Sequence, residues 1–135
     1  MGKISGPLLD RFDIQIEVKP VDFDKIKSTK KEEKSEDIKK RVDKARKIQC
    51  NRYKEYNIFS NAELTPKLIE QFCILDEKSK ELLEMSYEKL GLSARAYSKI
   101  LKVSRTIADL DEKNNIEVKH IAEAIQYRNL DRKYF

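Results

Sequence analysis

The sequence predicts an all-α fold: a small bundle of about five helices, preceded by a flexible segment that holds one strand without a partner. Three observations predict it. Only three glycines and three prolines interrupt the 135 residues, too few for the many tight turns of a β-rich fold. Apolar residues recur at helical spacing in successive stretches between Ser35 and Arg128. Those stretches open on capping residues and are joined mostly by short connections, as in a helical bundle.

The elements follow in order. Gly6-Pro7 is a breaker pair, and Leu8-Leu9-Asp10-Arg11 suits a short helical turn. Asp13-Ile14-Gln15-Ile16-Glu17-Val18 alternates apolar with acidic or polar residues, the pattern of a strand. No second strand pattern exists, and a single strand cannot satisfy its own backbone groups. The segment therefore pairs with another chain or belongs to something larger. Pro20 ends it. Residues 21–34 mix charges with little apolar surface, too little to offset an ordering cost of roughly 1–2 kcal/mol per residue. They read as a linker.

Ser35 caps the first long helix, with Glu36 and Asp37 in its first turn. Ile38, Val42, Ala45, Ile48 and Tyr53 or Tyr56 supply its buried stripe. Lys39, Lys40, Arg41, Lys44, Arg46, Lys47 and Arg52 make the remainder basic, either a solvated face or one that tracks phosphates. Residues 57–64 connect, with Phe59 as their buried aromatic. Thr65 caps a short helix that has Pro66 at its first position and Leu68, Ile69 and Phe72 inward. Asp76 caps the next, with Leu82, Leu83, Tyr87 and Leu90 inward, and Gly91 stops it. Ser93 then caps the central helix, whose core face carries Tyr97, Ile100, Leu101, Val103, Ile107, Ala108 and Leu110. Residues 111–115 turn the chain. Ile116, Val118, Ile121, Ala122 and Ile125 mark a last helix, ending near Tyr127-Arg128.

Composition excludes several functions. Charged and hydrophobic residues each make up 39% of the chain, and the mean hydropathy is −0.73. No apolar run approaches membrane-spanning length and no signal peptide is visible, so a cytoplasmic protein with no membrane partner is expected. The net charge of +5 permits nucleic-acid contact without demanding it. Cys50 and Cys73 lack metal-binding spacing, and His120 is the only histidine, which argues against a His-based metal site or a Ser-His-Asp triad. No phosphate-binding P-loop, GxGxxG or paired carboxylates occur.

The remaining chemistry belongs to cations. Arg95, Lys99, Lys102 and Thr106 fall at i, i+4, i+7 and i+11, so three cations share one row of the central helix. Arg95 stands in the first turn, where the helix dipole disfavours a cation but free N–H groups favour an anion such as phosphate. The same row would serve as a solvated polar face. Lys99, Lys102, Arg41 and Arg46 are further candidates for phosphate or nucleic-acid contact. Arg105 is expected to pair with Asp109 at i+4, and His120 to act at a helix start or in packing.

Ile4-Ser5-Gly6-Pro7-Leu8-Leu9-Asp10-Arg11-Phe12-Asp13-Ile14-Gln15-Ile16-Glu17-Val18 resembles the end of the ATPase core in magnesium-chelatase-like AAA+ proteins of the ComM/YifB competence family. Leu92-Ser93-Ala94-Arg95-Ala96-Tyr97, residues 100–110, His120-Ile121-Ala122-Glu123-Ala124-Ile125-Gln126-Tyr127-Arg128 and Leu130-Asp131-Arg132 resemble that family's C-terminal domain. Arg41-Val42, Ala45-Arg46, Gln49 and Arg52 fit its linking helix.

The resemblance implies a piece of a larger protein. Residues 1–34 would be the end of an AAA+ core plus a charged linker, largely disordered in isolation, and residues 35–135 a helical lid domain. Walker A, Walker B and sensor 1 would lie upstream, so this chain alone is not expected to be an enzyme, whereas its parent would be an AAA+ ATPase using ATP and Mg²⁺. Arg11 would be the arginine finger that reaches a neighbouring subunit's ATP, and Arg95 the sensor 2 arginine of its own subunit. The implied partners are the core of the same protein, further copies in a hexamer, and DNA remodelled by branch migration. The alternatives are a freestanding basic helical module that binds nucleic acid, or the lid of a magnesium-chelatase subunit.

Overall fold

The computed structural model describes residues 5–28 and 31–128, and all regular structure among them is helical. Two single turns come first, α1 (Gly6–Leu9) and α2 (Phe23–Ile26). The bundle follows as α3 (Ser35–Tyr53), a 3-10 turn (Asn61–Glu63), α4 (Pro66–Phe72), α5 (Glu77–Leu90), α6 (Ala94–Leu110) and α7 (Val118–Gln126). The five bundle helices are those the periodicity predicts.

Local chemistry sets their ends. The side chains of Thr65, Asp76 and Ser93 accept the N–H groups of Leu68, Ser79 and Ala96 at 3.4, 2.8 and 3.1 Å, which satisfies one orphan donor at each helix start. Gly91 closes α5 in the left-handed region, with φ 58° and ψ 43°. A Cβ there would meet nothing within 4 Å, so backbone conformation rather than space requires glycine. At α3 the cap position falls on Lys34, and Ser35 is the first helical residue. No side-chain bond ties that end, which lets the boundary lie one residue earlier than the capping pattern suggests.

α6 is the centre of the bundle and packs against α7, α3, α4 and the 3-10 turn. Ala96, Ile100, Leu101 and Ala108 of α6 meet Tyr53, Leu64, Leu83, Ile121 and Ala124, all buried. Leu75 and Ile116 form one isolated parallel bridge, which makes no sheet.

Several expectations need correction. Residues 13–18 form no strand: the only described backbone bond to another element runs from the Gln15 N–H to the Tyr127 carbonyl at 2.8 Å. With no neighbouring strand among the described residues, the alternating pattern has nothing to pair with. Phe59 is 64% exposed, whereas Tyr53, one of the two tyrosines expected in the α3 stripe, is fully buried. Tyr53 can be buried because its hydroxyl donates to Asn61 Oδ1 at 2.6 Å, whereas Phe59 sits where the Glu63 carboxylate holds its backbone N–H at the surface. Ile38 and Val42 stay exposed at the margin of a groove beside Ile107 and Leu110 rather than entering the core. Tyr87 and Tyr97 lie at the surface too, edge to face with ring centroids 5.9 Å apart.

Arg52, read as part of the basic face of α3, turns inward instead. It donates to both oxygens of the fully buried Asp109 carboxylate at 3.0 and 2.5 Å. Burial is the largest single influence and lowers its pKa, but the bonds and charges of Asp109 and Tyr53 together outweigh it and the value is raised. Arg105 reaches the same carboxylate at 3.2 Å, as its i+4 spacing predicts, and donates to the carbonyls of Asn114 and Lys113 at 2.7 Å each. Asn61 adds a bond to Asp109 at 2.9 Å. One carboxylate thus joins α3, the 3-10 turn, α6 and the turn that follows it.

His120 behaves as expected at the start of α7. Its Nδ1 accepts the Glu117 N–H at 2.9 Å, which leaves the proton on Nε2 to be donated to Asp111 at 3.0 Å. Bonds from Lys119 and His120 pull the Asp111 pKa from 3.8 down to about 2. A carboxylate depressed in the folded state stabilises above its unfolded pKa, and that contribution disappears as pH falls through the folded value. Urea melts should therefore show the gap between wild type and Asp111→Asn closing as pH drops from about 4 to 2. A gap that stays constant over that window would contradict the assignment.

Candidate functional site

The outer face of α6 forms one wall of a groove of ≈ 790 Å³. Residues 13–14, Ala62 of the 3-10 turn, and Glu123 and Tyr127 at the end of α7 complete it. Val103, Ile107, Leu110 and Ile14 give it an apolar floor, and the row Arg95, Lys99, Lys102 and Thr106 runs along its rim. The periodicity of α6 produces both features, since a helix that buries one face presents the next row to its flank.

Packing uses the members of that row differently. Lys102 donates to the Ala62 carbonyl at 2.9 Å and so ties α6 to the 3-10 turn. Thr106 accepts from Asn61 at 2.9 Å and donates to the Lys102 carbonyl at 2.9 Å. Lys99 donates to the Arg11 carbonyl at 3.0 Å and pairs with the Asp13 carboxylate. Arg95, exposed in the first turn, makes no ion pair or hydrogen bond through its side chain among the described residues. The first N–H groups of a helix have no intrahelical acceptor, and Ser93 accepts only that of Ala96. A free guanidinium therefore stands beside free backbone donors at the mouth of the groove.

The structure brings Arg11 to the same flank. Its carbonyl rests on Lys99, one helical turn along α6 from Arg95, and its side chain is exposed. Arg41 and Arg46 stand apart on α3 and do not line the groove. Arg41 forms a forked pair with Glu33, whose Oε2 accepts from Nη2 at 3.1 Å, and this raises the Arg41 pKa. Lys39 and Lys44 are likewise paired, with Asp43 and Glu112. Much of the basic face of α3 is thus neutralised locally.

Sequence reasoning assigned no role to Arg128. It is 1% exposed, and its guanidinium donates to the Phe12 carbonyl at 2.5 Å and to Asp10 at 3.3 Å. Its only local signal is an arginine closing an amphipathic helix, which ordinarily indicates a cation over the last carbonyls. Among the described residues no group of three or more His, Cys, Asp or Glu side chains is placed to hold a metal ion, and no helix is long and apolar enough to cross a membrane.

Residues 32–128 match the family model described as magnesium chelatase, subunit ChlI C-terminal. The chain is 43% identical over 133 residues to Competence protein ComM of Haemophilus influenzae, covering 98% of this chain and 25% of that protein. It is 40% identical over 134 residues to the uncharacterized protein YifB of Salmonella typhimurium, covering 98% of this chain and 26% of that protein. A protein of Mycobacterium tuberculosis, Rv2897c, is 26% identical over 128 residues, covering 95% of this chain and 25% of that protein. The chain spans about a quarter of the length of these curated relatives.

Proposed function

We propose, from the premise that this chain belongs to the magnesium chelatase ChlI C-terminal family as a ComM/YifB-like C-terminal domain, that it is the lid of a hexameric AAA+ ATPase. One observation carries the reading: among the described residues Arg95 is the unpaired cation of its row, in the first turn of α6 and lining the groove. A guanidinium so placed stabilises the charge spread over the oxygens of a transferring phosphoryl group. Arg95 would serve the nucleotide of its own subunit as sensor 2, and Arg11 that of the next subunit as the finger. ATP and Mg²⁺ would be held chiefly by a core outside this chain, which itself contributes the two arginines. Hydrolysis would drive DNA remodelling by branch migration or unwinding, in the cytoplasm, during transformation and recombination. The Haemophilus influenzae relative is named as a competence protein, which supports that setting.

Mixing subunits of the full-length protein tests the two roles. Arg11→Ala subunits should regain hydrolysis when mixed with subunits whose P-loop is inactivated, because each inactive partner offers a working finger to a working nucleotide site. Arg95→Ala subunits should not, because every nucleotide site then lacks its P-loop or its own lid arginine. Equal rescue of both, or rescue of Arg95→Ala alone, would overturn the assignment.

A further inference from the structure

We infer that Arg128 and Lys99 are positioning residues that clamp residues 10–13 onto the α6–α7 face and thereby determine where Arg11 stands. The catalytic consequence rests on the reading of Arg11 as a finger; the clamp itself rests on geometry.

A guanidinium as buried as Arg128 must have its charge and its donors met. The partners described for it are the Asp10 carboxylate and the Phe12 carbonyl, the groups immediately before and after Arg11. Lys99 takes the carbonyl of Arg11 itself and the carboxylate of Asp13. Gln15 finishes the attachment: its N–H donates to the Tyr127 carbonyl at 2.8 Å, and its side-chain amide donates to the Leu9 carbonyl at 3.1 Å. Polar contacts rather than apolar burial hold the segment, since Phe12 and Ile14 remain 51% and 53% exposed.

The backbone on both sides of Arg11 is thus pinned, while its side chain is exposed and makes no contact through its guanidinium among the described residues. That is how a side chain is presented to something outside the subunit. Because Lys99 lies on α6 one turn from Arg95, the clamp also ties the presented arginine to the helix that carries the free one. A shift of α6 on nucleotide binding at Arg95 would carry Arg11 with it, linking a subunit's own site to that of its neighbour.

Arg128→Met and Lys99→Met test this, the second standing in should the first fail to fold. In the 135-residue chain, amide exchange at Gln15 should accelerate at least about tenfold while Ile100 and Leu101 stay protected. In the full-length protein, hydrolysis should fall by about 10²-fold, the cost of a misplaced catalytic group. Mixing with P-loop-inactive subunits should restore it, as for Arg11→Ala. Unchanged exchange at Gln15 in both variants overturns the clamp. So does rescue of Arg11→Ala without rescue of either clamp variant. Failure to rescue Arg11→Ala itself removes the finger reading instead, and exchange at Gln15 then decides the clamp alone.

Discussion

Arg95→Ala is expected to slow ATP hydrolysis by the full-length protein by ~10³–10⁵-fold, the range that arginine fingers contribute in other nucleotide hydrolases. The fold should be untouched. Arg95 is exposed and its side chain binds nothing among the described residues, and substitutions at such positions change stability by about 0.5 kcal/mol or less. Removing a cation from the first turn of α6 even relieves a small dipole penalty. The thermal midpoint of the helical domain should therefore match wild type. Arg95→Lys separates charge from shape: lysine keeps the point charge but loses the planar fork that matches phosphoryl oxygens, so its rate should fall between the two. Lys102→Met is the control in the same row, because the Lys102 ammonium is committed to the Ala62 carbonyl. A loss below about tenfold for Arg95→Ala would place Arg95 outside the transition-state contacts, since even one oxyanion donor is worth about 10²–10³-fold.

Asp109→Ala is expected to cost about 3–5 kcal/mol of folding stability, the usual consequence of removing one partner from a buried ion pair. That is a large part of the ~5–15 kcal/mol by which domains are stable. The reason is what remains. Arg105, 3% exposed, would lose its counter-charge and keep only two carbonyls. Arg52 would lose both its carboxylate bonds, leaving two guanidinium groups facing each other across the vacated site. Asn61 would lose one acceptor while keeping Thr106. Asp109→Asn, which keeps the shape and one acceptor, should cost less. Urea melts of the chain measure both. A loss under about 1 kcal/mol for Asp109→Ala would show that the network aligns the helices without stabilising them.

Much of the bundle was legible because its signals are local. A cap joins a side chain to an N–H three residues on, as at Thr65, Asp76 and Ser93. The left-handed stop at Gly91 needs no neighbour beyond its own helix. The pairing of Arg105 with Asp109 spans one turn, and so does the Glu117–His120 contact. Periodicity alone therefore predicts five helices in the right order, with Ile100 and Leu101 at the centre.

The candidate site was only half legible. Spacing places Arg95, Lys99, Lys102 and Thr106 in one row, and the structure keeps them there. Spacing leaves Tyr53 and Tyr56 as alternatives for the buried stripe of α3; the acceptor on Asn61 selects Tyr53. Nor does the pattern of α3 separate Arg52, which turns inward to Asp109, from Arg41, which stays outside with Glu33.

By itself the sequence determined the helices and most of their ends, because caps, stops and apolar stripes act over one to three turns, and its motifs carried the resemblance to the family. Tertiary structure alone decided which cations are free. Lys99 is taken by residues 11 and 13, Lys102 by residue 62, and Arg128 by residues 10 and 12. Those partners lie tens of residues away along the chain, where no spacing rule reaches. A free charge is defined by the absence of a partner, and only the packed chain establishes which partners are within reach.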